Sequence, residues 1–119
     1  MKIAIVDDSP QIRTNLLKFI SLIKGSEVVI EAVDARSAIE LIKGKKPDIV
    51  ILDIELKNSS GFEVLNAIKG ESKTAPIVMM FTNLSTFSYK EKALKEGADY
   101  FFDKTNDLDN LLHVIKSLA

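Results

Sequence analysis

Apolar residues follow two alternating patterns along this chain. Five short runs are nearly continuous in β-branched, aromatic and other apolar side chains, which is typical of strands covered on both faces of a sheet. Between these runs, apolar residues recur at spacings of three and four, which predicts helices that bury one face. The predicted strands are residues 2–6, 27–33, 48–53, 76–82 and 99–103.

Residues with capping chemistry mark where several helices begin. Ser9 followed by Pro10 predicts the start of the first helix, because serine caps well and proline suits the first helical position. Ser60 and Glu63 have the spacing of a capping box and predict the start of the third helix. The first and last helices carry the clearest apolar stripes: Ile12, Leu16, Phe19, Ile20 and Ile23 in the first, and Leu108, Leu111, Leu112, Ile115 and Leu118 in the last.

The alternation of strands and helices indicates the fold class. Short connections between the elements predict parallel strands joined by right-handed crossovers. We therefore expect an α/β fold, a three-layer αβα sandwich with a five-stranded parallel sheet and five helices. The chain contains no linker, internal repeat or low-complexity tract, so residues 1–119 are predicted to form a single domain.

Composition and charge exclude several classes of function. Sixteen basic and 17 acidic side chains give a formal net charge of -1, without the basic surplus that direct nucleic-acid binding requires. No apolar run approaches the length of a membrane-spanning helix, so no membrane association is expected. The sequence has no cysteine, which excludes disulfides and thiolate metal sites and fits a cytoplasmic location.

Three acidic residues follow two of the predicted strands. Asp7 and Asp8 come directly after the first strand, and Asp53 closes the third. Ligands of open parallel sheets bind beyond the carboxyl ends of the strands, where the winding direction changes. If the first and third strands are neighbours, the three carboxylates meet in one crevice. Hard oxygen donors without a nearby histidine or cysteine suit Mg²⁺, which would relieve their mutual repulsion.

Two further polar residues are predicted at the same edge of the sheet. Thr82 ends the fourth strand and Lys104 follows the fifth. A carboxylate in such a site can attack phosphorus and form an aspartyl phosphate. Asp53 is the best candidate for this nucleophile because it stands alone after the apolar run "IVIL". Lys104 and Mg²⁺ would neutralise the phosphoryl oxygens, and Thr82 would donate a hydrogen bond to one of them.

Four ordered segments resemble the motifs of a known family: "VDDS" (6–9), "DIVILDIEL" (48–56), "PIVMMFT" (76–82) and "GADYFFDK" (97–104). Over its whole length the chain resembles the receiver domain of two-component response regulators, in its chemotaxis-type single-domain form without an output domain. The resemblance implies a flavodoxin-like, doubly wound sheet of strand order 2-1-3-4-5.

The resemblance also implies a function in a two-component system or phosphorelay. A sensor histidine kinase or a histidine phosphotransfer protein would supply the phosphoryl group from a phosphohistidine. The protein would not be an enzyme beyond catalysing its own phosphorylation and dephosphorylation. It would be a monomer, with a phosphorylation-dependent dimer as the alternative.

Individual roles are carried over from the family to matching positions. Asp53 resembles the phosphoacceptor, and Asp7 and Asp8 resemble the acidic pair, with Asp8 the more direct metal ligand. The backbone carbonyl of Glu55 falls where the family supplies another ligand for Mg²⁺, for which Mn²⁺ can substitute.

The resemblance further assigns a conformational switch. Lys104 matches the lysine that contacts the phosphoryl group, Thr82 the switch hydroxyl, and Phe101 the switch aromatic. Phosphorylation of Asp53 is expected to draw Thr82 towards the phosphoryl group and to let Phe101 turn inward. The partner-binding surface would then be formed by the fourth helix, the fifth strand and the fifth helix.

Two residues depart from the family pattern. Lys57 and Thr105 each stand where many receiver domains have proline. In the family, that second proline is joined to the lysine by a cis bond. A cis bond before a residue other than proline costs about 3 kcal/mol, so the sequence leaves the geometry of the Lys104–Thr105 bond open. Glu55 and Asn83 lie at positions that tune phosphoryl lifetime in the family.

Three rival functions remain compatible with the same fold class. The first is an interaction module that works without phosphorylation, which the complete acidic set argues against. The second is a Mg²⁺-dependent phosphohydrolase, for which the chain offers no long loop to form a substrate pocket. The third is a flavin or nucleotide carrier, in which Asp7 and Asp8 would repel the phosphate that such a loop must cradle.

Overall fold

The computed structural model describes residues 1–70 and 75–119 of the chain. Over these residues it forms five strands of a central sheet, labelled β1 to β5, and five helices, labelled α1 to α5. The strands are β1 (Lys2–Val6), β2 (Glu27–Ala32), β3 (Ile49–Leu52), β4 (Ile77–Thr82) and β5 (Tyr100–Asp103). The helices are α1 (Pro10–Ile20), α2 (Ala35–Lys45), α3 (Gly61–Lys69), α4 (Phe87–Lys95) and α5 (Leu108–Leu118).

The sheet is entirely parallel and has the strand order β2-β1-β3-β4-β5. This order confirms the predicted flavodoxin-like, doubly wound topology, in which the winding direction changes between β1 and β3. Val6 of β1 lies opposite Leu52 of β3, and Leu52 lies opposite Met80 of β4. The neighbouring strands therefore end together, which brings the residues that follow them to one edge of the sheet.

Two hydrophobic clusters cover the two faces of the sheet. One lies between the sheet and helices α2, α3 and α4, and the other lies between the sheet and helices α1 and α5. Alternate residues of each strand contribute to opposite clusters, so Ala4 and Val6 face one side while Ile3 and Ile5 face the other. Burial on both faces explains why the strands are nearly continuous apolar runs, and it confirms the three-layer sandwich.

The predicted helix starts agree with the observed capping contacts. The Ser9 hydroxyl accepts a hydrogen bond from the Ile12 amide at 3.3 Å, and Pro10 is the first residue of α1. Ser60 and Glu63 form both halves of the capping box at the start of α3. These side chains satisfy amide groups that have no partner within the helix, so capping residues fix the helix starts locally.

The end of α1 differs from the prediction. The helix ends at Ile20, although Ile23 was placed on its apolar stripe. The amides of Leu22 and Ile23 donate to carbonyls three residues earlier, which tightens the chain out of the α-helix. Ile23 still packs against the cluster beneath α1 and α5. Of the predicted stripe residues, Phe19 and Leu118 remain 37% and 40% exposed.

Helix α4 is held less firmly than its neighbours. Ala93 is its single buried residue, whereas α3 buries Gly61 and four larger side chains. Thr86 precedes α4 without making a side-chain capping hydrogen bond. Fewer buried apolar contacts make an element easier to displace, so α4 is the helix best suited to move. In the part of the chain that the structure describes, no helix is both long enough and apolar enough to cross a membrane.

Candidate functional site

The three acidic residues lie together at the carboxyl edge of the sheet. Asp7 follows β1 and Asp53 follows β3, and the pairing of these strands places the two residues side by side. One carboxylate oxygen from each of Asp7, Asp8 and Asp53 lies within 4.8 Å of the others. Asp7 and Asp53 are buried, at 2% and 6% exposure, while Asp8 is exposed. The fold therefore concentrates three carboxylates where β1 and β3 end.

Lys104 joins two of these acids. Its ammonium nitrogen Nζ lies 2.7 Å from Asp53 Oδ2 and 2.8 Å from Asp7 Oδ2. Its backbone amide donates to the carbonyl of Thr82 at 3.0 Å, which anchors the residue beside the end of β4. Hydrogen bonds between charged groups at these distances are among the stronger ones in proteins. One ammonium against three carboxylates nevertheless leaves the cluster with a net negative charge.

Burial and pairing shift the pKa values of two members of the cluster. Burial raises the pKa of Asp7 and outweighs the hydrogen bonds from Lys104 and from the Ser9 amide, which lower it. Burial lowers the pKa of Lys104, but hydrogen bonds to Asp53 and Asp7 outweigh burial and raise this pKa above its usual value. Lys104 therefore carries its positive charge at neutral pH, and the ionised form of Asp7 is disfavoured by its surroundings.

The donor set fits a divalent cation. Asp7 Oδ1 accepts from the Ser9 amide at 2.9 Å and Asp7 Oδ2 accepts from Lys104, so both oxygens are engaged. Within residues 1–70 and 75–119, the exposed Asp8 carboxylate makes no hydrogen bond and no ion pair. Among the residues that the structure describes, Asp53 Oδ1 has only a long contact, 3.4 Å, with the Glu55 amide. The oxygen atoms of Asp8 and Asp53 therefore have lone pairs available for a metal ion, and hard oxygen ligands are what Mg²⁺ prefers.

A cleft of about 240 Å³ opens above the acids. Predicted site residues dominate its walls, but two lining residues had no predicted role in the site. Ser9 was interpreted only as a helix cap, and Leu84 lies two residues after Thr82. Their positions just beyond strand ends are the signal that identifies them. The lining residues are Asp8, Ser9, Asp53, Glu55, Thr82, Asn83, Leu84 and Lys104.

Thr82 and Phe101 occupy different environments. Thr82 is fully buried, and its hydroxyl oxygen accepts a hydrogen bond from the Leu84 amide at 3.1 Å. Phe101 is half-buried, lies outside the cleft, and packs against the cluster beneath α2, α3 and α4. Tyr100 and Phe102 stack on the opposite face with ring centroids 5.8 Å apart. Of these three aromatic residues, the strand alternation thus places Phe101 alone on the α4 side.

Gly61 permits a close approach between α3 and the Asp53 backbone. Its amide donates to the Ile54 carbonyl at 2.7 Å, and a Cβ atom at this position would lie 2.0 Å from the Asp53 carbonyl oxygen. No side chain fits at that distance. Steric contact with the backbone, and not an unusual backbone angle, therefore requires glycine here.

The two departures from the family pattern both use amide groups that proline lacks. The Lys57 amide donates to the Val33 carbonyl at 3.0 Å, which ties the loop after β3 to the end of β2. The Lys104–Thr105 peptide bond is trans, and the Thr105 amide donates to Asp103 Oδ1 at 3.2 Å. Hydrogen bonding thus fixes both loops without proline.

Comparisons with known proteins agree with this fold. The family model described as the response regulator receiver domain matches residues 3–116. The nitrate/nitrite response regulator protein NarP of Escherichia coli (strain K12) is 37% identical over 119 residues, which cover 99% of this chain and 54% of that protein.

Solved structures of receiver domains superimpose closely. A LuxR-family two-component response regulator from Aurantimonas sp. SI85-9A1 gives a TM-score of 0.89 at 31% identity, covering 98% of this chain and 83% of that one. The BeF3-activated N-terminal receiver domain of Klebsiella pneumoniae RstA gives a TM-score of 0.86 at 26% identity, covering 98% of this chain and 97% of that one.

The chain belongs to the family of response regulator receiver domains. Its role is that of a phosphoacceptor in two-component signalling, and domains of this family interact with histidine kinases. The chain spans about half the length of the curated relatives it matches. The comparisons do not support the narrower prediction of a chemotaxis-type single-domain receiver. The similar solved structures include LuxR-family regulators.

Substituting Gly61 with alanine is expected to destabilise the domain by about 1–3 kcal/mol, because the added methyl group collides with the Asp53 backbone. Urea denaturation measures the change. Gly44→Ala is the matched control: a Cβ atom there meets nothing within 4 Å, and alanine favours the helix by up to about 1 kcal/mol. Equal stability of the Gly61→Ala variant and the wild type would contradict the close approach.

Substituting Asp7 with asparagine is expected to stabilise the domain at neutral pH. At pH values between 3.8, the usual pKa of an aspartate, and the raised pKa of Asp7, the folded state binds more protons than the unfolded state. The contribution of Asp7 to the free energy of unfolding therefore falls as the pH rises. The gain should exceed the roughly 0.5 kcal/mol typical of surface substitutions and shrink as the pH falls towards 3.8. Denaturation with a chelator present measures it. An equal gain in the exposed variant Asp109→Asn would argue against this explanation.

Proposed function

We propose that this domain accepts a phosphoryl group on Asp53 from a phosphohistidine of a sensor histidine kinase or a histidine phosphotransfer protein. The observation that carries the proposal is the position of the Asp53 carboxylate. It lies 2.7 Å from the Lys104 ammonium and close to the Asp8 carboxylate, which has no partner among the described residues, and it lines an open cleft. A nucleophile, a fixed positive charge and free metal ligands are the parts that phosphoryl transfer needs.

The reaction assigns one task to each oxygen of Asp53. Oδ2 stays bound to Lys104, while Oδ1, with only its long contact to the Glu55 amide, attacks phosphorus. The new P–O bond forms as the P–N bond to the donor imidazole breaks, and the imidazole leaves with that electron pair. A carboxylate attacks as the anion, so this step needs no side chain to remove a proton.

Lys104 contributes a donor that its present contacts leave available. An ammonium group has three N–H donors, of which Asp53 and Asp7 occupy two. The third can reach an oxygen of the incoming phosphoryl group. A Mg²⁺ ion, or Mn²⁺ in its place, would be held by Asp8, Asp53 and the Glu55 carbonyl, with Asp7 behind them, and would supply further charge neutralisation.

The proposed signal passes from Thr82 to the α4 side of the domain. The Thr82 hydroxyl currently accepts from the Leu84 amide and retains its own proton for a phosphoryl oxygen. Moving Thr82 towards the cleft would free space beside β5, into which half-buried Phe101 can turn. Helix α4, which buries only Ala93, would shift most readily. The partner-binding surface is then formed by α4, β5 and α5, and both of its conformations must pre-exist within a few kcal/mol.

The output of the whole protein is a separate proposal. We infer that residues 1–119 form one receiver domain that acts in the cytoplasm as a monomer and does not itself contact nucleic acid. The net charge of -1 and the even mixture of acidic and basic side chains support the last point, that the domain does not contact nucleic acid. Two contexts are open, an isolated receiver or the receiver of a LuxR-family regulator, and the similar structures favour the second.

Incubation with acetyl phosphate and Mg²⁺ is expected to add one phosphoryl group to the wild type and none to the Asp53→Asn variant. Intact-mass measurement gives the stoichiometry, and a chelator should suppress the reaction. Asp109→Asn, which changes an exposed aspartate on α5, serves as the control and should react like the wild type. An unmodified wild type would favour the interaction-module alternative, and modification of the Asp53→Asn variant would rule out Asp53 as acceptor.

Beryllofluoride with Mg²⁺ is expected to shift the backbone amide signals of Leu84 and Phe101 in the wild type. The Leu84 shift follows from loss of its hydrogen bond to the Thr82 hydroxyl, and the Phe101 shift follows from ring rotation. In a Thr82→Ala variant, the signals at Asp53 should still respond while the response at Phe101 should fall severalfold. A full response at Phe101 in this variant would refute coupling through Thr82.

A further inference from the structure

We propose that Asp103 and Asp107 are positioning residues that hold Lys104 in place to bridge Asp53 and Asp7. The inference deepens the proposed function, because Lys104 matters chiefly as a partner of the phosphoryl group. It rests on the hydrogen bonds that the residues before and after Lys104 make.

The two aspartates surround the lysine with reciprocal hydrogen bonds. The Asp103 amide donates to Asp107 Oδ2 at 2.9 Å, and the Asp107 amide donates back to the Asp103 carbonyl at 2.9 Å. The amide of Lys104 donates to the Thr82 carbonyl at 3.0 Å. The backbone groups that directly precede the Lys104 Cα atom therefore have defined partners.

The Asp103 carboxylate secures the other side of the loop. Its Oδ1 accepts from the Thr105 amide at 3.2 Å, and its Oδ2 accepts from the side-chain nitrogen of Asn106 at 3.0 Å. Proline at position 105 would have no amide to donate. The Asp103 carboxylate thus holds the two residues that follow Lys104.

Asp107 has an unusual hydrogen-bond partner for a residue that directly precedes a helix. It occupies the residue before α5, where an aspartate normally accepts a hydrogen bond from an amide of its own helix. No such capping bond is present. Its two oxygens instead bind the Asp103 amide and, at 3.0 Å, the side-chain nitrogen of Asn110. One Asp107 oxygen thus binds the strand end that precedes Lys104, while the other binds the Asn110 side chain in the first turn of α5.

This arrangement matters because the lysine side chain is long and flexible. Its nitrogen reaches carboxylates that follow two other strands, β1 and β3, at distances of 2.8 and 2.7 Å. A displacement of the Lys104 backbone by about 1 Å would break at least one of these hydrogen bonds, and misplacements of this size can lower a rate up to about a hundredfold.

The test measures phosphorylation by acetyl phosphate at saturating Mg²⁺ in purified variants. Asp107→Ala is expected to lower the maximal rate by about tenfold to a hundredfold, with little change in the acetyl phosphate concentration that gives half the maximal rate. Asp107→Asn keeps an oxygen acceptor and is expected to restore the rate to within about threefold of the wild type. Asn110→Ala, which removes one of the two Asp107 contacts, provides a milder variant if Asp107→Ala does not fold, and its rate should fall severalfold.

Asp34→Ala is the matched control for stability. Asp34 caps α2 through the Ser37 amide at 2.8 Å, so this variant also loses an aspartate at a helix start, but far from Lys104 in the chain. Its maximal rate should equal that of the wild type. An unchanged rate in Asp107→Ala, or an equal loss in Asp34→Ala, would overturn the positioning role.

A spectroscopic measurement separates this inference from the proposed function. The Lys104 ammonium group, whose side chain is 9% exposed, should give a proton–nitrogen correlation signal that vanishes in Asp107→Ala and persists in Asp107→Asn and Asp34→Ala. If the wild type takes up no phosphoryl group but these signals behave as expected, the phosphorylation proposal fails and the positioning role stands. If the signal persists in Asp107→Ala, the positioning role is wrong whatever the rates show.

Discussion

The ammonium group of Lys104 lies between Asp53 and Asp7, and the rest of the site depends on this contact. Two carboxylates about 4 Å apart repel by roughly 4 kcal/mol at an effective dielectric constant near 20, so their burial side by side requires a positive partner. Lys104 pairs with both buried acids, while exposed Asp8 has no partner in the described part of the chain. The site is thus stable enough to fold yet still has free capacity to bind a cation.

The sheet supplies the rigidity that such a cluster needs. Apolar residues fill both faces of the parallel strands, so the strand ends are held at fixed relative positions and the polar groups sit on the loops beyond them. Helices α3 and α4 cover the same face of the sheet but are held to different degrees. Helix α3 approaches the Asp53 backbone too closely for any residue but glycine at position 61, whereas α4 buries only Ala93. A rigid acceptor beside a loosely held helix suits a conformational signal.

The loops show that one geometric requirement can be met by different chemistry. Lys57 and Thr105 stand where proline is common in the family, and each donates an amide hydrogen bond that proline could not make. Proline restricts a loop by fixing one backbone angle, while hydrogen bonds restrict it through partners elsewhere in the fold. In this chain hydrogen bonds restrict both loops. The Thr105 amide donates to the Asp103 carboxylate, and the Asp103 amide in turn donates to Asp107.

Hydrophobic periodicity and capping residues in the sequence by themselves predicted the strands, the helices and a parallel sheet, and the family resemblance supplied the strand order that brings Asp7, Asp8 and Asp53 together. These features depend on local spacing and on general rules of sheet topology. Only the tertiary structure decided that α1 stops at Ile20, that Lys104 binds two acids at once, and that Asp107 accepts from the Asp103 amide and not from an amide of α5. Each of these depends on distances between side chains and backbone groups, and such distances are set by packing of the whole chain.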